Sequence, residues 1–312
     1  MKKVLVVGEL NVDIILNNID GFPEIGKEIL AEQMTVTLGS SSAIFASNLC
    51  SLGADVTFLG KIGQDQFGEL IEDTLQKKGV KTDSLIKSKA YATGSTIVLN
   101  YDLDRANITF PGAMEHLNAQ EVEDGIFAEV EHLHVSSIFM QPALKSGILD
   151  LFKRAKSCGL TTSLDPQWDP SEQWDLNLQE VLPYIDIFLP NRAELLNLTK
   201  TSTIEDGIDS ITDVANIIAV KDGAEGSYLI NKGKTEWLPA FLNKNVADAI
   251  GAGDSFDAGF IFQYIQDKPL IECLKFANLT GAINTTESGG TKAFENKDRI
   301  MEIAQTRFSY SI

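Results

Sequence analysis

Basic runs, long apolar runs and closely spaced cysteine pairs are all missing from this chain, and each absence closes off a class of protein. No cluster of lysines or arginines stands out, and 26 basic residues against 44 acidic ones leave a formal net charge of −18. A nucleic-acid groove needs a basic footprint, so that partner is not expected. An acidic protein can still hold a phosphorylated ligand, because backbone amides and helix ends supply positive potential locally. Cys50, Cys158 and Cys273 are the only cysteines and lie far apart, without metal-ligand spacing. They read as buried, reduced thiols in a cytosolic protein. No apolar stretch approaches membrane-spanning length, so no membrane partner is expected. The opening MKKVLVVGELNVD puts two lysines before an apolar run, but VLVV stops at Gly8-Glu9. That is too short for a signal-peptide core and reads as a first buried strand.

What is present is an ordinary globular composition, 44% apolar and 22% charged over 312 residues. The length suits one large α/β domain with additions, taken as residues 1–312. Short apolar runs alternate with helical patterns. Strands are predicted at Val4–Gly8, Val56–Gly60, Leu133–Ser136, Thr161–Asp165 and Ile185–Leu189. Helices are predicted at Ser41–Ser51, Phe67–Lys78, Ala143–Ser157 and Arg192–Leu198. Strand followed by helix, repeated, predicts a mainly parallel sheet covered on both faces. Ile217–Val220, Ser227–Ile230 and Thr235–Leu238 read as an antiparallel end to that sheet. The helical patterns Ser255–Gln266 and Leu270–Thr286 close the chain. Two segments break the alternation. Ile14–Thr37 and Tyr91–Phe110 hold strand-like pieces with no helix between them, as in EILAEQMTVTL and GSTIVLNYD. They are expected to form a small separate sheet beside the main one.

The run VADAIGAGDSFDAGFIFQYIQ carries the strongest chemical signal. A helix N-terminus leaves backbone N–H groups unpaired, and the macrodipole adds positive potential there. Glycine lets a ligand approach the backbone closely. Gly251, Ala252 and Gly253 therefore form a candidate pocket of amides for an anion, with Asp254 beside it. A carboxylate next to bound phosphate is repelled by it. Proton abstraction from an attacking hydroxyl is one reason to put it there, and a simple N-cap is the other. The chain lacks G-x-x-x-x-G-K-[ST] and the protein-kinase motif set.

DAIGAGDSFDAGF resembles the C-terminal signature of the ribokinase-like, or PfkB, carbohydrate kinases. Other stretches agree in order: VGELNVDII at 7–15, LGSSSAIFASNLCSLGADVTFLGKIGQDQFG at 38–68, FPGAMEHL at 110–117, LPNRAELLNLT at 189–199, VKDGAEGS at 220–227 and FANLTGAINTTESGG at 276–290. The resemblance covers almost the whole chain. It implies a ribokinase-like α/β three-layer sandwich with a mainly parallel central sheet and a small β-sheet lid, formed by about 14–37 and 91–110. It also implies an ATP-dependent sugar or sugar-acid kinase using Mg²⁺, and a homodimer paired through the lid.

Carried onto this sequence, the resemblance makes Asp254 the catalytic base and Gly251, Ala252 and Gly253 the anion hole. Asn11, Asp13, Gly39, Ser40 and Ser41 would bind the sugar. Asn191 and Glu194, i and i+3 on one helical face, would stand near Mg²⁺ and the phosphates, with Glu194 reaching the metal through water. Lys221, Gly223, Gly226 and Asn278 would border the nucleotide. Asp248 and Ser288 match a loop where some relatives hold a monovalent cation such as K⁺. Two departures matter: Ile44 stands where the family often has Asn, and Arg192 replaces a frequent acidic residue. His132 and His134 read as structural, and Trp168 and Trp174 as packing over a domain edge. The alternatives are a nucleoside kinase on the same scaffold and a sugar-binding regulator that has lost catalysis.

Overall fold

The computed structural model describes residues 2–101 and 104–311. In chain order its strands are β1 (Lys3–Val7), β2 (Asn11–Ile19), β3 (Ala31–Leu38), β4 (Asp55–Leu59), β5 (Lys61–Gly63), β6 (Ile86–Ser88), β7 (Gly94–Tyr101), β8 (Asp104–Phe110), β9 (His132–Ser136), β10 (Thr161–Asp165), β11 (Ile187–Phe188), β12 (Ile217–Lys221), β13 (Ser227–Asn231) and β14 (Lys234–Leu238).

Eight of them form one sheet in the order β14-β13-β12-β11-β10-β9-β1-β4. From β4 to β12 every neighbour pair is parallel, and β13 and β14 extend the sheet antiparallel. The parallel strands are apolar on both faces because both faces are covered. On one side Leu5, Val7, Leu133 and Val135 pack under the helices Ile148–Ser157, Arg192–Thr199 and Ile204–Ile211. On the other, Val4 and Val6 pack under Ser41–Leu52, Gln66–Lys77, Ala252–Tyr264 and Leu270–Asn284. Fully burying one such large apolar side chain is worth roughly 1.5–3 kcal/mol.

A second sheet of four strands runs β3-β2-β7-β8, and β5 pairs with β6 beside it. The lid range 91–110 includes Asp102 and Leu103, which lie outside the described residues. In the four-stranded sheet the side-chain alternation separates two faces. Asp13, Thr96, Val98, Arg105, Asn107 and Thr109 face the cleft. Ile14, Val36, Ile97 and Ile108 form one cross-strand row on the opposite face, where Ile108 and its strand neighbour Phe110 are largely exposed.

Several local expectations shift. The pattern at Ala143–Ser157 is two helices, Pro142–Ser146 and Ile148–Ser157, interrupted at Gly147. The backbone there lies against Ala119, leaving no room for a Cβ. The strand expected at Ile185–Leu189 is regular only at Ile187–Phe188. The helix expected from Ser255 begins at Ala252 and ends at Tyr264, which puts Asp254 inside the first turn.

His132 and His134 are buried under the Val4/Val6 face, in register with those residues. His132 lies 2.8 Å from both Thr161 Oγ1 and Ser163 Oγ, and Ser163 Oγ is 2.8 Å from His134 Nδ1. His134 stacks on Phe45 with ring centroids 3.7 Å apart. Burial, with Lys2 and Lys156 adding to it, pushes His132 down to about 3. In the unfolded chain a histidine titrates at about 6.5. Below that value the unfolded state takes up a proton that the folded state refuses, so stability is lost as the pH falls. Each unit of pH costs about 1.4 kcal/mol per such histidine. Between about pH 6.5 and pH 5, wild-type protein should therefore lose about 2 kcal/mol more than His132→Asn. Denaturant unfolding at the two pH values measures it, and parallel losses would show that His132 is protonated in the fold.

Candidate active site

The carboxyl ends of the parallel strands open into a cleft of about 1160 Å³, the usual place for a ligand in an open α/β sheet. Glu9 follows β1, Ser137 follows β9, Gln167 follows β10, Asn191 follows β11, and Lys221 ends β12. All five line this cleft. The four-stranded sheet walls one side, and the start of the helix Ala252–Tyr264 lines another.

No side chain caps that helix. Its N-cap is Gly251, at φ +75, so Asp254 is not the cap. A Cβ at Gly251 would meet Gly290 Cα at 2.7 Å and Ile44 Cγ2 at 3.0 Å. Left-handed backbone and close approach together demand glycine. Of the first four amides, those of Ala252 and Ser255 close on the carbonyls of Ala249 and Gly251, at 3.2 and 2.9 Å. Those of Gly253 and Asp254 have no backbone acceptor among the described residues. Gly251, Gly253 and Asp254 line the cleft and Ala252 does not. Ile44 is buried against Gly251 of this turn and against Gly290, so its apolar side chain supports the turn as well as lining the cleft.

Asp254 is buried, and burial followed by repulsion from Asp165 raises its carboxyl well above the ordinary range. Gln167 Nε2 donates to its Oδ1 at 3.0 Å, and Ser41 beside it opposes the rise. Beneath lies a buried ionic network. Lys221 Nζ is 3.2 Å from Asp165 and 3.0 Å from Asp257, and both carboxylates are almost fully buried. Burial by itself would lower the Lys221 value, but Asp165, Asp257 and Glu194 outweigh it and keep the ammonium charged. Burial, then Asp165, pushes Glu194 up to about 8.

The expected sugar-end residues divide. Asn11 Nδ2 donates to Asp13 Oδ1 at 3.1 Å and to Thr96 Oγ1 at 2.9 Å. Burial pushes Asp13 up to about 6 against the opposing effects of Asn11 and Arg105. Gly39 sits so close to the Asn11–Asp13 pair that a Cβ would collide with it. The Ser40 hydroxyl is occupied, accepting from the Ala43 amide at 3.0 Å and donating to the Glu9 carbonyl at 2.6 Å. Ser41 lines the cleft with Asp254 and opposes the rise in its pKa.

The expected nucleotide-end residues also divide. Asn191 and Glu194 form a reciprocal cap at the start of Arg192–Thr199. Glu194 accepts from the Asn191 amide at 2.8 Å and from its side chain at 2.6 Å, and Asn191 Oδ1 accepts from the Glu194 amide at 2.9 Å. Arg192 pairs with Asp222 at 3.1 Å near the surface. Gly223 lines the cleft. Gly226 is buried against Leu238 and Pro239. Asn278 is buried too, between Ser227 Oγ at 2.9 Å and the Pro239 carbonyl at 3.3 Å. Asp248 accepts from the amides of Ile250 and Gly289 at 2.9 and 2.8 Å, which joins its loop to the one on which Ser288 is exposed.

Sequence reasoning missed Glu9, Asp165, Gln167 and Asp257. Glu9 enters the sequence reading only as the stop of the first apolar run and within VGELNVDII, yet it is buried, lines the cleft and is pushed up to about 7 by burial. Asp165 ends a parallel strand, a position that could have flagged it. Trp168, expected to pack at an edge, lines the cleft with its ring half exposed; Trp174 is the buried one.

A model of the pfkB family of carbohydrate kinases matches residues 1–297, and the chain belongs to that family. It is thus a carbohydrate kinase, a phosphotransferase with an alcohol group as acceptor. It is 29% identical over 234 residues to an uncharacterized sugar kinase of Archaeoglobus fulgidus, covering 75% of this chain and 92% of that protein. It is 27% identical over 309 residues to an ATP-dependent ribose-1-phosphate kinase of Halopiger xanaduensis, covering 99% and 100%. Among solved structures, Arabidopsis thaliana ribokinase complexed with ribose and ATP superposes with TM-score 0.84 at 25% identity, covering 96% of this chain and 98% of that one. Ribokinase from Thermotoga maritima superposes with TM-score 0.86 at 24% identity, covering 98% and 100%, and shows the fold. No helix among the described residues is long and apolar enough to cross a membrane.

The ionic network yields a test. Removing one partner of a buried ion group strands the others and typically costs about 3–5 kcal/mol. Lys221→Met should be destabilised by that amount, and adding Asp257→Asn should recover part of it. Urea unfolding of the single and double variants measures both steps; a double variant less stable than the single one would break the assignment.

Proposed function

We propose that this chain is an ATP-dependent kinase of a small sugar or sugar acid, with Asp254 as its general base. One observation carries the reading: a buried carboxylate of raised pKa stands in the first turn of a helix that no side chain caps, where the Gly253 and Asp254 amides have no backbone acceptor among the described residues. A base of raised pKa is better matched to a hydroxyl proton at neutral pH. The ATP dependence of the Halopiger relative and the ATP in the Arabidopsis complex support ATP as donor. Asp254 takes the proton of a substrate hydroxyl, whose oxygen attacks the γ-phosphorus. The amides of the Gly251–Gly253 turn bind the developing charge. Asn11, Asp13, Gly39 and Ser41 orient the sugar, with the Ser40 hydroxyl holding the loop between them.

The residues present fit a water-ligated Mg²⁺. Asn191 and Glu194 bring oxygen-bearing side chains to the cleft lining, and Mg²⁺ commonly keeps several waters. Asn191 and Glu194 would hold it through water, and when bound it screens the charge of the transferring phosphoryl group. Lys221, Gly223, Gly226 and Asn278 shape the nucleotide end. Lys221 acts from below through the helix start, while Gly226 and Asn278 act by fixing the turn. Asp248 and Ser288 mark the loop where a monovalent cation such as K⁺ would sit. The four-stranded sheet is read as a lid that excludes water. Its apolar row of half-buried Ile14 and exposed Val36, Ile97 and Ile108 is read as the contact with a second copy. A nucleoside acceptor is the second reading, favoured by the exposed Trp168 ring in the cleft.

Asp254→Asn should keep the fold and nucleotide binding but lower kcat by on the order of 10²–10⁴-fold. Steady-state kinetics with calorimetric ATP binding tests this, and near-normal kcat would remove Asp254 from the mechanism.

Ile44 offers no hydrogen bond to the sugar. A site built around that bond would leave a buried polar group unpaired, at a cost of about 1–3 kcal/mol. Across ribose, fructose, 2-keto-3-deoxygluconate, tagatose phosphate and nucleosides, the best hexose or keto-sugar acid should exceed ribose in kcat/KM by about tenfold. Ribose as the best substrate would overturn this selection, and a nucleoside would favour the second reading.

A further inference from the structure

Gln167 does something that no motif in the chain announces. Its Nε2 carries two protons, and both are spent on carboxylates: one on Asp165 Oδ2 at 2.6 Å, the other on Asp254 Oδ1 at 3.0 Å. Asp165 Oδ2 is in turn 3.2 Å from Lys221 Nζ. The opposite amide orientation would point a carbonyl oxygen at two carboxyl groups, so electrostatics selects the donor orientation. With one oxygen of Asp254 occupied in this way, the other is left to meet a substrate hydroxyl.

The backbone is arranged to hold this side chain. Gln167 has φ 60, in the left-handed region, as do Glu172 and Trp174 at 54 and 53. Non-glycine residues are uncommon there, and such strain persists only where surrounding contacts over-determine it. Those contacts are present. Asp169 Oδ1 accepts from the Ser171 amide at 2.9 Å and its hydroxyl at 2.7 Å, and Oδ2 accepts from the Trp174 amide at 2.7 Å. Trp174 is buried between Trp168 and Phe139, with edge-on ring contacts at 5.0 and 5.6 Å. The loop is therefore clamped at both ends of the strained stretch.

We propose that Gln167 is a positioning residue for the phosphoryl transfer: clamped in a strained turn, it bridges Asp165 to Asp254 and aims the Asp254 carboxylate at the acceptor hydroxyl. This rests on the reading of Asp254 as the base. A donor to the carboxylate favours its charged form. Removing the donor should raise the Asp254 pKa further, so the acid limb of kcat should move to higher pH.

The test compares wild type with Gln167→Met, which keeps length but has no donor, and Gln167→Glu, which places a third carboxyl in the bridge. In Gln167→Met the acid limb of the kcat–pH profile should move up by about one unit, with KM for ATP unchanged. In Gln167→Glu it should move up at least as far. ATP binding reports folding of both variants, and if one does not fold, the other carries the measurement. A fall in kcat with the limb unmoved, or no change at all, overturns the proposal. Asp254→Asn separates the two claims. If that variant loses turnover while Gln167→Met keeps the wild-type limb, the Gln167 inference alone fails. If it retains turnover, the base assignment fails and takes the Gln167 inference with it.

Discussion

The site depends on one buried cation. Lys221 ends β12 with its ammonium between Asp165 and Asp257, one from β10 and one from the helix that carries Asp254. This charge ties the sheet to the helix. Without it, the two carboxylates would face each other out of water, and a buried unpaired charge costs several kcal/mol. With it, the helix start is held over the strand ends, where Gly251, Gly253 and Asp254 line the cleft. The same charge opposes the rise in the Asp254 pKa that burial and Asp165 produce.

Around that contact the cleft is crowded with carboxyl groups. Glu9, Asp254 and Glu194 line it, with Asp165 and Asp257 just beneath, and burial raises the pKa of Glu9, Asp254, Glu194 and Asp257. A pocket of this kind attracts anions poorly through its side chains. Backbone amides at a helix start can still receive a phosphoryl group, since they carry no mobile counter-charge and are fixed before the ligand arrives. This reconciles an acidic chain with membership of a kinase family.

Much of the architecture was legible in the sequence. The parallel strands are short apolar runs between glycine and polar turns, and burial on both faces leaves no polar alternation to confuse them. The separate sheet was visible because Ile14–Thr37 and Tyr91–Phe110 lack helical periodicity. Helix ends were less legible. Asp254 falls inside its helix because the Gly251 turn, packed against Gly290 and Ile44, sets the start, and that packing is tertiary.

The sequence by itself determined the alternating elements and the Asn191–Glu194 cap, because each depends on neighbours within one turn or one strand. Only the tertiary structure decided that Lys221, Asp165 and Asp257 share one charge, that Asn278 and Gly226 are buried rather than lining the cleft, and that Gln167 reaches Asp254. Those relations join strands and helices distant in the chain. Their energies come from burial, which removes water from between charges, and burial is a property of the assembled layers rather than of any segment.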